Sequence, residues 1–346
     1  MANIVICADG TWNRPEEDIQ KDIPTNVLKL ARAIEPNTGG VNQHVFYDWG
    51  LGSYHNHLIA GATGVGIHKN IQDGYRYIVQ NYAPGDRLFL FGFSRGAYTV
   101  RALSGLINNC GILKRPDAPL IAQAWKIYKS PANKNRPKGS DARQFRETHS
   151  HPSRRVHFVG VWDTVGALGI PFSIMGLFSN HDEFYDQKMG SNIATARHAL
   201  AIDEQREDFK PTIWLPRPGV DLKQVWFAGA HSDIGGKYPP DKGTGIRASD
   251  MPLEWMLREA RDAGLGIEPY LWGALTDGER GKLHPSRTRL YRLSSPYHRP
   301  LVVEGKPTTI HPSVKARYEA DSGYRPPRLK ALVERDGWAQ HLDADA

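Results

Sequence analysis

At 346 residues with 40% hydrophobic and 23% charged side chains, the chain is long enough to bury a sizeable core, and its composition excludes a disordered, collagenous or disulfide-scaffold protein. Its 44 Lys+Arg against 37 Asp+Glu give a net charge of +7, but residues 114–157 alone hold eleven basic and three acidic side chains, which leaves 33 against 34 elsewhere. A near-neutral body with one basic segment is not a general nucleic-acid coat, and no specific nucleic-acid partner is expected.

The first half of the chain alternates short apolar runs with amphipathic stretches, the pattern of parallel strands joined by crossover helices. Asn3 to Ala8 reads as a buried strand and contains Cys7. With Cys110 as the one other cysteine, a reducing compartment is expected. Thr25 is placed to cap a helix running to Glu35, with Leu28, Ala31 and Ile34 on one face. His44 to Trp49 reads as the next strand, Ile67 to Tyr82 as a second helix, and Arg87 to Phe93 as a third strand. After the basic segment come two more strands, Arg155 to Trp162 and Gln224 to Ala228; beyond about residue 265 the sequence is rich in Pro, Gly and Arg, and no elements are assigned. There is no apolar run of about 18 residues and no basic stretch leading into an apolar one, so neither a membrane span nor a cleaved signal is read. Cytoplasmic location is the default expectation, and secretion without a cleaved signal would leave no such trace.

Ligands of open parallel sheets bind beyond the carboxyl ends of the strands, so the turns after the strands carry the functional search. Gly92-Phe93-Ser94-Arg95-Gly96 matches G-x-S-x-G, in which a serine occupies a sharp strand-to-helix turn. The pentapeptide alone is weak; the apolar strand entering it and the helix-compatible run from Ala97 to Ile107 leaving it supply the context the motif needs. A serine hydroxyl needs a base oriented by a carboxylate. Asp163 follows one strand and His231 another, in the chain order Ser, Asp, His; Asp233 is the rival carboxylate. The backbone amide of Arg95 and the loop holding Gly10 and Thr11 are expected to form an oxyanion hole, with Asp9 orienting that loop. A metal site at Asp9, His231 and Asp233 is the weaker alternative, because no metal-ligand spacing supports it; no metal and no cofactor are expected.

Three further signals carry less. Gly61-Ala62-Thr63-Gly64-Val65-Gly66 lacks the Lys and Ser/Thr of a phosphate loop, and reads as a loop bordering the site. The apolar stretch Ile170 to Phe178 reads equally as an acyl-pocket wall, a lid or core packing. The basic segment reads as a solvated face or as a contact for an anionic membrane surface or headgroup.

Taken in order, Asp9-Gly10-Thr11-Trp12-Asn13, Thr25-Asn26-Val27, Gly85-Asp86, Gly92 to Tyr98, Val161 to Gly166, Gly229 to Gly236 and His311-Pro312-Ser313-Val314 resemble a largely uncharacterised α/β-hydrolase domain family. That family includes a group of type VI secretion phospholipase effectors. The resemblance spans about residues 3–316 and implies Ser94, Asp163 and His231 as a catalytic triad; His311 and Ser313 enter as supporting residues through the resemblance alone. The extra membrane-associating region of the large effectors is not seen in this chain.

The expected fold is α/β-hydrolase-like: a mostly parallel sheet with helices on both faces over residues 1–320, a basic insertion or cap at about 114–155, and a C-terminal tail at 321–346. The expected activity is hydrolysis of carboxylic esters of lipids or other acyl compounds. The rival from another class is a non-catalytic module that holds an anionic partner through the basic segment.

Overall fold

The computed structural model describes residues 1–10, 13, 22–50, 64–165, 189–301 and 308–344. Eight strands form one sheet in the order β2-β3-β1-β4-β5-β6-β7-β8. They are β1 (Ala2–Ala8), β2 (Asn37–Thr38), β3 (Val41–Asp48), β4 (Arg87–Phe93), β5 (Val156–Trp162), β6 (Ile193–Ala201), β7 (Asp221–Phe227) and β8 (Thr309–Ile310). Every neighbouring pair is parallel except β2 with β3.

The side-chain alternation of β1 shows why the sheet needs two covers. Ile4, Ile6 and Ala8 enter one core with α2 (Gly64–Asn81) and α3 (Arg95–Cys110), while Val5 and Cys7 enter another with α1 (Asn26–Ala33). Helix α1 begins where Thr25 Oγ1 accepts the amide of Leu28 at 3.1 Å, the expected cap. Burying Ile4, Val5 and Ile6 contributes roughly 1.5–3 kcal/mol each against the entropy of ordering them.

Strand β6, Ile-Ala-Thr-Ala-Arg-His-Ala-Leu-Ala, is absent from the sequence reading because two strongly polar side chains lie inside it. Arg197 is neutralised by Asp221 at 2.6 Å and Glu259 at 2.5 Å. His198 accepts the amide of Thr164 at 3.2 Å, and burial first, then the charge of Arg101, lowers its pKa to about 3.

The basic segment folds into α4 (Ala118–Lys129), a 3-10 turn and α5 (Ser140–His149). A helix leaves its last carbonyls without intrahelical donors, and this segment supplies them for α3. Arg154 Nη1 donates to Asn108 O at 2.5 Å, Arg146 Nη1 to Asn109 O at 2.5 Å, and Ser150 Oγ to Cys110 O at 2.6 Å. Two guanidiniums at the negative end of α3 also oppose its dipole. Part of what reads in the sequence as surface charge is therefore internal bonding, at the end of α3 far from Ser94. Lys134 in turn pairs with Asp141 at 2.9 Å.

Among the described residues the remaining helices are α6 (His231–Gly235), α7 (Asp250–Asp262), α8 (Pro269–Ala274), α9 (Pro312–Ala320) and α10 (Pro327–Asp336), of which α9 and α10 cover the far edge of the sheet. The stretch expected as a C-terminal tail is packed: Leu329 and Leu332 are buried with Trp226 and Ile310, and Asp343 accepts the Trp255 indole at 3.2 Å. Among the described residues no helix is long and apolar enough to cross a membrane.

Candidate active site

The carboxyl ends of β1, β4, β5, β6 and β7 lie in register, with Ala8 opposite Gly92, Phe93 opposite Trp162, Trp162 opposite Ala199 and Ala201 opposite Phe227. The chain leaves β1 for β3 on one side and returns to β4 on the other, so this is the crevice where an open sheet presents its ligand site.

Ser94 sits in that crevice between β4 and α3 with φ 58° and ψ −121°, a conformation that costs about 1–3 kcal/mol for a residue with a side chain. Close packing enforces it. A methyl group on Gly96 would stand 2.0 Å from the carbonyl oxygen of Ala8, so only glycine lets α3 start against the end of β1.

Ser94 Oγ lies 2.9 Å from His231 Nε2, and His231 Nδ1 lies 2.6 Å from Asp163 Oδ2. His231 opens α6, which rests on the Phe93 ring; a methyl on Gly235 would come within 2.1 Å of that ring. The imidazole is bracketed by Phe93 at 4.6 Å and Phe209 at 5.0 Å between ring centres.

Asp163 is fully buried, also at positive φ (39°). Its Oδ1 accepts the amide of Ala201 at 3.0 Å and Arg299 Nη1 at 2.6 Å, and its Oδ2 accepts Arg299 Nη2 at 3.0 Å. Burial alone would raise this carboxyl, but the Arg299 charge and the bonds from His231 and Arg299 override it and hold it well below the usual carboxylate range. An ionised carboxylate only accepts hydrogen bonds. His231 Nδ1 must therefore carry the proton, which leaves Nε2 of the neutral ring as acceptor for the Ser94 hydroxyl. The tautomer needed for proton removal from Ser94 follows from the charge state of Asp163.

Asp233 takes a different place. Its Oδ2 accepts the amides of Ala230 at 3.0 Å and His284 at 3.1 Å, and its Oδ1 lies 2.8 Å from His284 Nδ1. It closes the first turn of α6 and faces His284 rather than the His231 ring. Asp9 is held by the Thr25 hydroxyl at 2.5 Å and the Tyr47 hydroxyl at 2.8 Å, and burial pushes its carboxyl up to about 6 against those bonds. Asp9, His231 and Asp233 are thus turned to separate partners, and among the described residues no three His, Cys, Asp or Glu side chains group as metal ligands.

Gly10 lies beside Ser94, since a methyl group there would be 3.2 Å from Ser94 Cβ. Its amide donates to Asp9 Oδ1 at 2.7 Å, so that proton is already engaged, contrary to the expected oxyanion role. Thr11, the Ile170–Phe178 stretch and Gly61–Thr63 lie outside the described residues; Gly64 and Gly66 fall in the first turn of α2. Arg95 opens α3, which places its amide at the positive end of the helix next to Ser94. His311 is the N-cap of α9, accepting the Ser313 amide at 3.3 Å and stacking on Phe227 at 4.7 Å, with its pKa lowered to about 4 by burial and by Arg258. It does not touch the Ser94–His231 pair.

Among the described residues, three neighbours of the site escape the sequence reading: Arg299, Phe209 and Glu204. Glu204, fully buried and bound to Arg206 at 2.8 Å, accepts the His231 amide at 3.3 Å. Recognition of β6 would have put Glu204 in a turn after a strand. Nothing near Arg299 in the sequence marks it.

Residues 2–259 match the family described as the catalytic domain of Tle1-like phospholipase effectors of the type VI secretion system. An uncharacterised protein of Saccharomyces cerevisiae is 29% identical over 241 residues, covering 63% of this chain and 33% of that protein. Among solved structures, an uncharacterised protein from Pseudomonas aeruginosa aligns with TM-score 0.44 and 17% identity over 80% of this chain and 47% of that one. The Tle1 effector bound to the VgrG spike of the type VI system aligns with TM-score 0.40 and 18% identity over 71% of this chain and 52% of that one. The chain therefore spans about a third of the yeast relative and about half of each solved chain.

Proposed function

The chain belongs to the Tle1-like type VI secretion phospholipase effector family, through its catalytic domain, and from that premise we propose that it is a serine hydrolase of carboxylic esters of lipids. The observation that carries this reading is the relay from Ser94 through His231 to Asp163 at 2.9 and 2.6 Å, with the carboxylate kept ionised by Arg299.

In this mechanism Ser94 Oγ attacks the ester carbonyl while His231 Nε2 takes its proton. The imidazolium that forms is stabilised by Asp163, and it returns the proton to the leaving alkoxide, giving the acyl-enzyme and free alcohol. Water then repeats the sequence on the acyl-enzyme and releases the acid. The Arg95 amide and the positive end of α3 stabilise the oxyanion; with the Gly10 amide engaged by Asp9, the second donor falls to Thr11. The hydrolase domain is assigned to residues 1–320 together with the helix Pro327–Asp336 that packs on it, and the exposed lysines of 114–155 are assigned to contact with an anionic membrane surface.

Turnover of p-nitrophenyl esters of increasing acyl length, followed by release of fatty acid from phospholipid vesicles, tests the proposal. Activity is expected on both, with Asp163→Asn about 10^4-fold slower and Asp233→Asn retaining most of it. A folded chain inactive on the whole series, or a larger loss in Asp233→Asn than in Asp163→Asn, contradicts it.

A further inference from the structure

Strand β6 ends at Ala201, and the chain that follows, residues 203–209, touches His231 twice and Arg299 once. Hydrogen bonds to other stretches fix its course. Asp203 and Gly229 exchange two bonds, at 3.0 and 2.7 Å, Ser286 Oγ accepts the Gln205 amide at 3.0 Å, and Gln205 O accepts the Tyr297 amide at 2.8 Å.

On this frame Glu204 Oε2 accepts the His231 amide at 3.3 Å, the Phe209 ring meets the imidazole edge-on at 5.0 Å, and Phe209 O accepts Arg299 Nη2 at 2.5 Å. Arg206 ties these contacts together. Its backbone amide and Nε each donate to Glu204 Oε1 at 2.9 Å, its Nη2 donates to Oε2 at 2.8 Å, and its guanidinium lies 3.5 Å over the Phe209 ring.

Holding the His231 amide needs one acceptor oxygen, which a neutral side chain supplies. A carboxylate is a costly way to supply it, because Glu204 is fully buried and its charge must leave water and be matched by Arg206. What it adds is a fixed negative charge, in contact with the residue whose ring becomes a cation on taking the Ser94 proton. Burial alone would raise the Glu204 carboxyl, but the hydrogen bond and charge of Arg206, with smaller contributions from Arg299 and His231, hold it below the usual glutamate range. The charge is therefore present at neutral pH.

We propose, on the hydrolase reading of Ser94, His231 and Asp163, that Glu204 is a second carboxylate for the base: it positions His231 through the backbone amide, and its charge stabilises the imidazolium. Asp163 still sets the tautomer. Other ionisable groups surround the pair. Among the described residues, Asp163 and Arg299 lie beyond the ring, and Asp203 precedes Glu204 in the chain. Asp233 with His284 lies on α6, Tyr238 stacks on His284, and Tyr291 lies under Arg206. All of these are retained in the variants below, so the difference between native and variant pH curves reports Glu204.

Glu204→Gln keeps an acceptor oxygen for the His231 amide and removes the charge; Glu204→Asp keeps the charge on a side chain one methylene shorter. On p-nitrophenyl butyrate, Glu204→Gln is expected to lower kcat about tenfold with KM unchanged, since Glu204 touches no substrate. An imidazolium without that charge forms only at lower pH, so the acid limb of kcat/KM should move down by about half a pH unit, and Glu204→Asp should move it back toward native. The titration midpoint of the His231 ring, followed by NMR and needing no turnover, is expected to shift the same way. An unmoved limb and midpoint in folded Glu204→Gln, whatever its kcat, would leave Glu204 as a cap for the amide only and overturn the proposal. If the native chain hydrolyses no ester, the hydrolase reading fails and the ring midpoint still decides between charge and cap. If Glu204→Gln unfolds because Arg206 is left unpaired, the double variant Glu204→Gln with Arg206→Gln leaves no lone buried charge, and the same downward shift of the midpoint is required of it.

Discussion

Ester turnover is expected to fall about 10^6-fold in Ser94→Ala, and the double variant Ser94→Ala with His231→Ala is expected to be no slower than either single variant. The reason is the geometry of the relay. Among the described residues the basic atom in reach of Ser94 is His231 Nε2 at 2.9 Å, and in the proposed mechanism it acts as a base because Nδ1 is committed to Asp163 at 2.6 Å. Once any link is lost the others have no partner to act on, so their contributions do not add. Multiplicative losses in the double variant would mean that Ser94 and His231 act independently, and the relay would not describe the site. Thermal melts should move little for Ser94→Ala, because the strained backbone at φ 58° is set by the fit of Gly96 against Ala8 rather than by the serine hydroxyl.

The second large effect is expected at Arg299. Its two terminal nitrogens hold both oxygens of Asp163, and neither side chain is exposed. Arg299→Leu leaves a buried carboxylate without its cation, a loss of about 3–5 kcal/mol for a buried pair broken from one side. The pH dependence carries a sign. In the native chain the Asp163 pKa lies below its unfolded value, so the pair stabilises the fold above about pH 4 and that contribution is lost as pH falls through the folded value. Without Arg299, burial dominates and raises the same group. The variant is then least stable near neutral pH relative to the native chain, and the gap narrows as acid protonates Asp163. Urea unfolding midpoints from pH 7 to pH 4.5 check this, and Arg299→Leu combined with Asp163→Asn should recover part of the loss, because no buried charge remains. A gap that is constant with pH would assign Arg299 to packing alone. Arg299 lies beyond the residues that match the catalytic-domain family, so support of Asp163 comes from outside the matched segment.

What could be read from the sequence follows the physics of each element. Central strands such as Arg87 to Phe93 are buried on both faces and appear as unbroken apolar runs. Ligands of open parallel sheets bind beyond the ends of such strands, so the turns after them point to Ser94, Asp163 and His231, and the three side chains are in hydrogen-bond contact. Strand β6 was illegible because Arg197 and His198 are interior residues whose partners, Asp221, Glu259 and Thr164, are distant in the chain. The same limit applies to Arg299, 136 residues from Asp163. Asp163 and Asp233 both sit near strand ends, and only their placement separates them: one faces the His231 ring, the other His284. The basic segment misled in part, since a charge count cannot tell a solvated lysine from Arg146 or Arg154 bound to the last carbonyls of α3.

Reaction with a fluorophosphonate, read by mass spectrometry of the labelled peptide, tests most directly whether Ser94 is an activated nucleophile. One phosphonyl group per chain is expected, on Ser94, with no labelling after Ser94→Ala or after prior unfolding. Labelling of the native chain at another residue, or none on protein shown to be folded, would contradict it.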